Sequence, residues 1–311
     1  MSLITRRGLL RASGAAASYG VGTGLFGVGA YAAGVEPNLS LNLTRYALTP
    51  PNWPRGVSLK IAVIADIHAC EPQMSQARIA QICEATNALQ ADLIVILGDF
   101  NGGHNFVTRA VLPAEWIEPI STLQAPLGVF AILGNHDFWH GALPGMPSDF
   151  GESIRKALRR SRVELLENDV AKVLHGGQPL WIAGLGDQMA HWHSRRFNRG
   201  IDDLDGTMDK ISGDAPVILL AHEPFIFDKV PRRVALTLCG HTHGGQVNIP
   251  YLGSPLASRR FGINHIYGHV EEGGRHMIIS AGLGTSILPV RFLRPPEIVE
   301  VTLGGPPVVV G

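Results

Sequence analysis

The sequence predicts a layered α/β fold with mixed β-sheets, and three observations support this prediction. First, six short and nearly continuous apolar runs have the pattern of strands that are buried on both faces. Second, a helical pattern follows the first run, so strands and helices alternate early in the chain. Third, glycine-rich turns separate the later runs, which favours antiparallel strands over helical crossovers in the second half. The predicted strands cover residues 59–65, 93–97, 129–133, 180–185, 217–221 and 234–238.

Two helices are predicted between these strands. Residues 75–90 carry apolar side chains at helical spacing, and residues 153–161 form a second, basic helix. The buried face of the first helix is predicted to consist of Ile79, Ile82, Cys83 and Leu89. The turn-forming glycine pairs stand at 176–177, 244–245, 273–274 and 304–305. Because neither an internal repeat nor a later boundary is present, residues 59–311 are predicted to form one domain.

The composition predicts a folded protein and argues against several classes of function. The chain is 45% hydrophobic and 17% charged, which is too apolar and too weakly charged for a disordered chain. Its 26 basic residues are balanced by 26 acidic ones, so there is no excess positive charge for general nucleic-acid binding. Any phosphate chemistry must therefore come from a local site. Cys70, Cys83 and Cys239 show no paired spacing and are predicted to be buried core residues.

The first 34 residues have the three parts of an export signal. A basic start with Arg6 and Arg7 is followed by a Gly/Ala-rich apolar run and a small-residue end at 30–32. The string TRRGLLR at residues 5–11 resembles the twin-arginine signal. We therefore expect residues 1–34 to be a twin-arginine signal or an N-terminal anchor, and residues 35–58 to be a surface linker.

This interpretation implies a partner and a location. The partner is the twin-arginine translocase, which carries its substrates across the membrane already folded. The location is the periplasm or the outer face of the cytoplasmic membrane, with possible membrane association. Whether the segment is cleaved or kept is open, and an ordinary amphipathic start or a single transmembrane anchor is the alternative.

Five of the predicted strands are followed by Asp, Asn or His. In open α/β sheets, ligands bind outside the carboxyl ends of the strands, so these side chains can converge although they span about 180 positions. Residues i and i+2 of an extended segment point to the same side, so Asp66 and His68 are expected to reach one point, as are His241 and His243. Glycines at 98, 134 and 240 permit tight exits from the strands. The strand-end residues are Asp66, His68, Asp99, Asn135, His136, Asp137, His222, His241 and His243.

Ligands of this kind suit divalent metal ions. Oxygen and imidazole nitrogen without thiolate favour Mn, Fe or Zn, and seven candidate ligands suit two ions that share a carboxylate. Two carboxylates contribute two negative charges and two divalent ions contribute four positive charges. The positive remainder would attract a phosphate and lower the pKa of a bridging water.

The ordered set of motifs resembles the calcineurin-like metallophosphoesterase superfamily, whose signature runs DxH, GD, GNHD or GNHE, a lone His, and GHxH. Every element is present, at residues 66–68, 98–99, 134–137, 222 and 240–243. The resemblance covers nearly the whole chain after residue 58. It implies a four-layer α/β/β/α sandwich with two mixed β-sheets.

The resemblance also implies residue roles and a mechanism. The first metal ion would be held by Asp66, His68, Asp99 and His243, and the second by Asp99, Asn135, His222 and His241. His136 would be the outer-sphere histidine that contacts phosphate and protonates the leaving oxygen, and Asp137 its orienting partner. The implied reaction is in-line attack of a metal-bridging hydroxide on phosphorus. No covalent intermediate is implied, since no G-x-S-x-G nucleophile motif is present.

The sequence after Asp99 differs from the motifs of two subfamilies, which argues against membership of either. Purple acid phosphatases have a ligating Tyr three residues after the bridging Asp, where this chain has Gly102. Ser/Thr phosphatases read GDxxDRG, where this chain reads GDFNGGH. The strings LAHEP at 220–224 and GHTHGGQ at 240–246 are similar to a bacterial phosphodiesterase branch that often carries twin-arginine signals. The tail at 282–297 fits the same branch.

The expected function is therefore that of a dimetal phosphodiesterase acting outside the cytoplasm on a phosphoester substrate, with lipid and envelope phosphoesters as the candidates. Three alternatives stay open. One is a phosphomonoesterase of the same fold. Another is a UDP-diacylglucosamine-type pyrophosphohydrolase, although that chemistry takes place at the cytoplasmic face of the membrane. The third is a non-catalytic metal-binding envelope protein.

Two segments near the expected site are candidates for substrate choice, namely residues 138–150 and 187–199. The second mixes Trp192 and Phe197 with arginines, a combination that can hold a phosphodiester with an apolar arm. Ordinary surface loops are the equal alternative. The arginines whose roles stay open are Arg195, Arg196, Arg199, Arg259, Arg260 and Arg291. The loop histidines near the site are His104, His140, His191 and His193.

Overall fold

The computed structural model describes residues 26–139, 149–194, 197–254 and 265–305, with the backbone alone for 192–194 and 197–198. A helical segment over 26–39, α1, contains a π-helical turn at Tyr31–Val35 and an α-helical turn at Glu36–Leu39. The other α-helices of the described residues are α2 (Gln76–Ala88), α3 (Pro113–Ile120), α4 (Asn135–Trp139), α5 (Glu152–Leu158) and α6 (Leu204–Asp209). Two 3-10 turns cover Pro224–Lys229 and His243–Gly245.

Most of the strands belong to two large sheets. The strands up to residue 165 are β1 (Asn42–Leu48), β2 (Leu59–Ile64), β3 (Cys70–Glu71), β4 (Leu93–Ile96), β5 (Arg109–Ala110), β6 (Val129–Ala131) and β7 (Val163–Leu165). The later ones are β8 (Asp169–His175), β9 (Gln178–Gly184), β10 (His191–Ser194), β11 (Phe197–Arg199), β12 (Val217–Leu220), β13 (Val234–Cys239), β14 (Gly268–Glu272), β15 (Arg275–Ile279) and β16 (Glu297–Leu303). The pairs β3–β5 and β10–β11 form small two-stranded sheets.

Each large sheet has six strands and a parallel centre. The first sheet has the order β1-β16-β2-β4-β6-β7, in which β2, β4, β6 and β7 are parallel and β16 runs antiparallel to β2. The second has the order β14-β15-β13-β12-β9-β8, in which β15, β13, β12 and β9 are parallel. The outer strands β14 and β8 are antiparallel to their neighbours. Both sheets are therefore mixed.

The two sheets pack face to face and are covered on their outer faces. In β2, Ile61 and Val63 lie in the core between the sheets, while Ala62 and Ile64 pack towards the helices. Because both faces of such a strand are buried, its sequence is apolar throughout instead of alternating. Helices α2, α3 and α5 cover the first sheet. A thinner layer, containing residues of α6 and of the Pro224–Lys229 turn, covers the second. The four-layer α/β/β/α architecture with two mixed sheets is confirmed.

Helix α2 follows its predicted pattern closely. Its buried residues include Ile79, Ile82 and Cys83, and the hydroxyl of Ser75 caps its N-terminus by accepting a hydrogen bond from the backbone of Arg78 at 3.1 Å. All three cysteines are buried, as predicted.

Two expectations about the fold are wrong in part. Residues 35–58 are not simply a linker, because β1 lies within them and pairs in parallel with β16 along its full length. The glycine pairs at 176–177 and 273–274 do join antiparallel strands, but the centre of the second sheet is parallel. Short connections such as the Pro224–Lys229 turn carry the chain between parallel strands there.

The predicted signal lies mostly outside the described residues, because the description begins at residue 26. None of the helices in the described ranges combines the length and the apolar character that a membrane crossing requires.

Candidate metal centre

The ends of five strands from both sheets meet in one buried region. Asp66 and His68 follow β2, Asp99 follows β4, and the α4 helix that begins at Asn135 follows β6. In the second sheet, His222 follows β12, and His241 and His243 follow β13. The structure thus brings all seven expected metal ligands together, and each of them is at most 8% exposed.

Most of these residues have an uncommon backbone conformation. The φ angles of Asp66, His68, Asp99, His241 and His243 lie between 49° and 68°, in the left-handed region. The expectation that the pairs Asp66 and His68, and His241 and His243, sit on extended segments is therefore wrong, since all four residues have left-handed backbone. Each such residue costs about 1–3 kcal/mol, so the surrounding packing must hold it in place.

The first group of ligand atoms belongs to Asp66, His68, Asp99 and His243. These atoms all lie within 4.8 Å of one another. His68 Nε2 lies 3.0 Å from His243 Nε2 and 3.4 Å from Asp99 Oδ2. His243 Nε2 lies 3.6 Å from Asp66 Oδ1. Two carboxylates and two imidazoles therefore converge on one point.

A second group lies on the other side of Asp99. His222 Nε2 is 3.3 Å from Asp99 Oδ2. His241 Nδ1 is 2.8 Å from Asn135 Oδ1. Because one oxygen of Asp99 lies within 3.4 Å of an imidazole in each group, this carboxylate stands where a bridging ligand would stand.

Backbone contacts fix the orientation of two imidazoles. His68 Nδ1 lies 2.8 Å from the carbonyl oxygen of Asn101, and His222 Nδ1 lies 2.6 Å from that of Leu97. A carbonyl accepts a hydrogen bond only from a protonated Nδ1, so Nε2 is left for a metal ion in both rings.

The two carboxylates of the first group differ in their electrostatics. Burial raises the pKa of Asp66 to about 7. Burial acts in the same direction on Asp99, but the neighbouring His222 and His136 outweigh it and hold the Asp99 pKa well below its usual range. Asp99 is therefore ionised at neutral pH and is available as a ligand.

Asp137 does not orient His136, contrary to the expectation from the sequence. One oxygen of its carboxylate accepts hydrogen bonds from the backbone N–H groups of Asp99 and Gly134, both at 3.0 Å. The other oxygen accepts from those of Phe100 at 2.8 Å and Asn101 at 3.1 Å. Asp137 thus fixes the loop that carries Asp99 and acts as a positioning residue.

His136 lies at the edge of the site. Its ring stands edge-on to that of His68, with 4.9 Å between the centroids, and its Nε2 lies 3.2 Å from Ser286 Oγ. Its backbone N–H donates to Asp99 Oδ1 at 2.8 Å. The imidazole is therefore held beside the first ligand group without belonging to it.

Arg291 is neither a phosphate contact nor a solvated surface residue. Its side chain is fully buried and donates hydrogen bonds to the carbonyl oxygens of Gly284, Ala281 and Arg294. One guanidinium nitrogen also lies 3.4 Å from His243 Nδ1. Arg291 therefore ties residues 281–294 to the back of the first ligand group.

Two buried acids were missed by the sequence analysis. Glu223 Oε1 lies 4.0 Å from His241 Nδ1, and Glu223 groups with His222 and His241 as a possible metal-holding set. Asp187 is buried beside Glu223, and burial first, then the charge of Glu223, raises the Asp187 pKa well above its usual value. The sequence held a signal for Asp187, because Gly186-Asp187 after β9 repeats the Gly98-Asp99 pattern after β4.

The loop candidates have different outcomes. His104 is buried, and burial together with His68 lowers its pKa to about 4. The ring of His191 stacks on Phe150 at 4.7 Å. The structure brings neither residue into the ligand groups. The remaining candidates lie outside the described residues or side chains, and these are His140, Trp192, His193, Arg195, Arg196, Phe197, Arg259 and Arg260.

The donor set fits divalent cations. Carboxylate, imidazole and amide donors without thiolate are the ligands of Mn, Fe and Zn. Five buried carboxyl groups, Asp66, Asp99, Asp137, Asp187 and Glu223, lie in or beside the ligand groups, and ionising them without nearby cations is costly. The two buried His/Asp clusters are therefore consistent with a centre of two metal ions.

Several known proteins are similar to this chain. A Bacillus subtilis protein, described as the uncharacterized metallophosphoesterase YkuE, is 30% identical over 309 residues, covering 97% of this chain and 99% of that protein. The UDP-2,3-diacylglucosamine pyrophosphatase LpxG of Chlamydia muridarum is 25% identical over 314 residues, covering 85% of this chain and 89% of that protein. Among solved structures, the 5′-nucleotidase precursor of Thermus thermophilus has 15% identity and a TM-score of 0.45, covering 73% and 49% of the two chains.

The fold and the buried carboxylate–imidazole centre define a metal-dependent phosphoesterase. The family model for calcineurin-like phosphoesterases matches residues 59–245, which is more than half of the chain. The protein therefore belongs to the calcineurin-like metallophosphoesterases, and it is a hydrolase of phosphoric esters.

Gly134 gives a direct check on the packing of this centre. A Cβ atom at this position would lie 2.4 Å from Asp99 Oδ1 and 2.5 Å from His222 Cε1, so both side chains would have to move. We expect Gly134→Ala to lose most of its bound metal and at least about a hundredfold in phosphoesterase rate, as measured by elemental analysis and steady-state kinetics.

The matched control for this variant is Gly102→Ala. There the added Cβ would meet Ala69 O at 3.5 Å, which is an ordinary contact. This control should keep its metal and its rate. Equal metal content in the two variants would show that Gly134 does not pack against the ligands in the way described.

Proposed function

We propose that this protein is a phosphodiesterase with a two-metal centre that acts outside the cytoplasm. The observation that carries the two-metal part of the proposal is the position of Asp99 Oδ2, which lies 3.4 Å from His68 Nε2 and 3.3 Å from His222 Nε2. Asp66, His68, Asp99 and His243 would hold one ion of Mn, Fe or Zn. Asp99, Asn135, His222 and His241 would hold the other. Such ions would lower the pKa of a water molecule and would neutralise charge on the phosphoryl oxygens.

His136 supplies the proton in this proposal. Displacement at phosphorus needs a proton donor for the leaving oxygen, and His136 lies beside the first ligand group at the edge of the site. Its contact with Ser286 Oγ and the bond from its backbone to Asp99 hold it there. Asp137 holds the Asp99 loop through four backbone N–H groups.

The string GHTHGGQ at 240–246 favours a diester over a monoester, because it resembles the phosphodiesterase branch of the family.

Paired aryl substrates test the diesterase proposal. The purified full chain should hydrolyse bis(p-nitrophenyl) phosphate faster than p-nitrophenyl phosphate. Because activation of the water would depend on the metal ions, chelation should remove both activities, and added Mn, Fe or Zn should restore them. A preference for the monoester would contradict the diesterase proposal. A rate that does not respond to chelation would contradict the metal mechanism.

His136→Ala and Asp137→Asn separate proton donation from positioning. Loss of a general acid slows the reaction about 10²–10⁴-fold, and the loss is smaller for aryl leaving groups, which need less protonation. His136→Ala should therefore hydrolyse alkyl diesters much more slowly than aryl diesters while it keeps its metal.

Asp137→Asn offers one acceptor oxygen to four N–H groups, and each lost charge-assisted bond costs about 1.5–3 kcal/mol.

Asp137→Asn should therefore lower the melting temperature and the metal content, without the leaving-group dependence of His136→Ala. Metal analysis, thermal melting and a series of leaving groups distinguish the two variants. If Asp137→Asn kept its metal and stability but matched the leaving-group profile of His136→Ala, Asp137 would act through His136 after all.

We also propose export by the twin-arginine translocase, followed by action in the periplasm or on the outer face of the cytoplasmic membrane. The string TRRGLLR and the apolar run after it support this proposal. Replacing both Arg6 and Arg7 by Lys in the full chain should retain the protein in the cytoplasm, as judged by cell fractionation. Undiminished export of that variant would rule out the twin-arginine route.

A further inference from the structure

Large exposed apolar side chains are concentrated in three segments of the chain. Among the described residues, fifteen large hydrophobic side chains are exposed, and eleven of them lie within residues 26–39, 249–252 and 287–293. The other four are Phe106, Leu112, Phe150 and Leu174. We call the eleven residues the apolar surface: Phe26, Val28, Tyr31, Val35, Leu39, Ile249, Tyr251, Leu252, Ile287, Leu288 and Leu293.

Direct contacts place the three segments next to one another. The backbone N–H of Arg291 donates to Ala32 O at 2.8 Å, and the rings of Tyr31 and Phe292 meet edge-on at 6.4 Å. On the other side, the backbone N–H of Asn248 donates to Phe292 O at 2.8 Å. The amide of Gln246 donates to the carbonyl oxygens of residues 288 and 290, both at 3.1 Å. Residues 286–294 therefore lie between α1 and residues 246–254.

The apolar surface reaches the edge of the metal centre. The backbone N–H of Ile287 donates to Gly103 O at 3.0 Å, and Ser286 Oγ lies 3.2 Å from His136 Nε2. A ligand that covers Ile287 and Leu288 would thus lie close to the proton donor of the proposed reaction.

Charged residues are few in the segments that form this surface: they are Glu36, Arg291 and Arg294, of which the first two are buried. Residues 26–35, 246–254 and 286–290 contain no Asp, Glu, Lys or Arg. Glu36, the acidic residue of α1, is buried and accepts the backbone N–H groups of Leu293 at 2.9 Å and Arg294 at 2.6 Å. An apolar patch of this kind marks an interaction site, because water does not solvate it well.

The N-terminal segment that precedes and enters the apolar surface indicates which kind of partner binds there. Residues 12–35 form an uncharged run of 24 residues, and its last ten residues are the exposed part of α1. An uncharged run that continues into an uncharged apolar surface suits a lipid bilayer, and Tyr31 and Tyr251 are of the type enriched at the membrane–water interface. The contacts of Ala32 and Glu36 join the end of this run to the domain.

We propose that the apolar surface docks on a lipid bilayer while residues 12–35 stay attached to the domain, and that the substrate is a phosphodiester headgroup of a lipid in that bilayer. The substrate class rests on the proposed phosphodiesterase activity, whereas the docking does not. Docking brings the metal centre next to the headgroups, so a lipid needs no extraction into water to reach it.

Vesicle flotation tests the docking. The probe is vesicles of phosphatidylcholine, phosphatidylethanolamine and phosphatidylglycerol, and the protein is the full chain. Because docking is apolar, binding should persist at high salt and with phosphatidylcholine alone. The double variant Tyr251→Ser, Leu252→Ser should bind at least about tenfold more weakly, since it loses two side chains that would enter the interface. Its matched control is Leu174→Ser on β8, because Leu174 and Leu252 are 67% and 70% exposed.

Three results would overturn the docking. The first is that the double variant floats as well as the control, which would mean that the N-terminal run alone holds the protein to the vesicle. The second is that the full chain does not float. The third is a dimer in light scattering that the double variant converts to a monomer, because a second copy would then cover the surface.

Headgroup release from the same vesicles tests the substrate class. The double variant should release headgroups at least about tenfold more slowly than the control, while both hydrolyse soluble bis(p-nitrophenyl) phosphate equally. Hydrolysis of the soluble diester without any headgroup release would overturn the lipid substrate and leave the phosphodiesterase proposal standing. Failure on both substrates would refute the phosphodiesterase proposal, and flotation would still decide the docking.

Discussion

Buried carboxyl groups at the ends of the strands are the constraint on which the rest of this structure depends. Asp66, Asp99, Asp187 and Glu223 are each at most 1% exposed, and the buried guanidinium of Arg291 is one cation beside them. Removing charge from water costs several kcal/mol for each ion unless opposite charge is close. Imidazoles and divalent cations can supply that charge. The buried carboxylates therefore destabilise the fold when no cation is near, and for the same reason they favour metal binding.

The two sheets provide the stiffness that such a site needs. Their parallel centres place the ends of β2, β4, β12 and β13 side by side, although these strands are far apart in the chain. Left-handed backbone at five ligands and close approach at glycines store strain that a flexible loop would release. Asp137 stabilises this arrangement by accepting hydrogen bonds from backbone N–H groups, and Arg291 does so by donating hydrogen bonds to backbone carbonyl groups. The charged groups of both side chains bind backbone groups and thereby fix the positions of the ligands.

Much of the fold and the ligand groups were predictable from sequence, because continuous apolar runs mark buried strands and ligands bind at the carboxyl ends of such strands. Strand β1 was not, since it is an exposed edge strand without an apolar run. The parallel centre of the second sheet was hidden by its short connections. Glu223 was not predicted as a site residue, because its neighbour His222 was taken as the ligand at the end of that strand. Asp137 and Arg291 act through hydrogen bonds to backbone groups. Every residue has such groups, so the sequence does not indicate which of them these side chains contact.

Metal content by elemental analysis of the full chain, purified without chelator, tests the central claim most directly when Asp99→Asn is measured beside it. The account predicts about two ions per native chain, and a marked loss from Asp99→Asn, because the bridging carboxylate becomes an amide. A native chain without bound metal would contradict the account. So would an Asp99→Asn variant that keeps both ions and full activity.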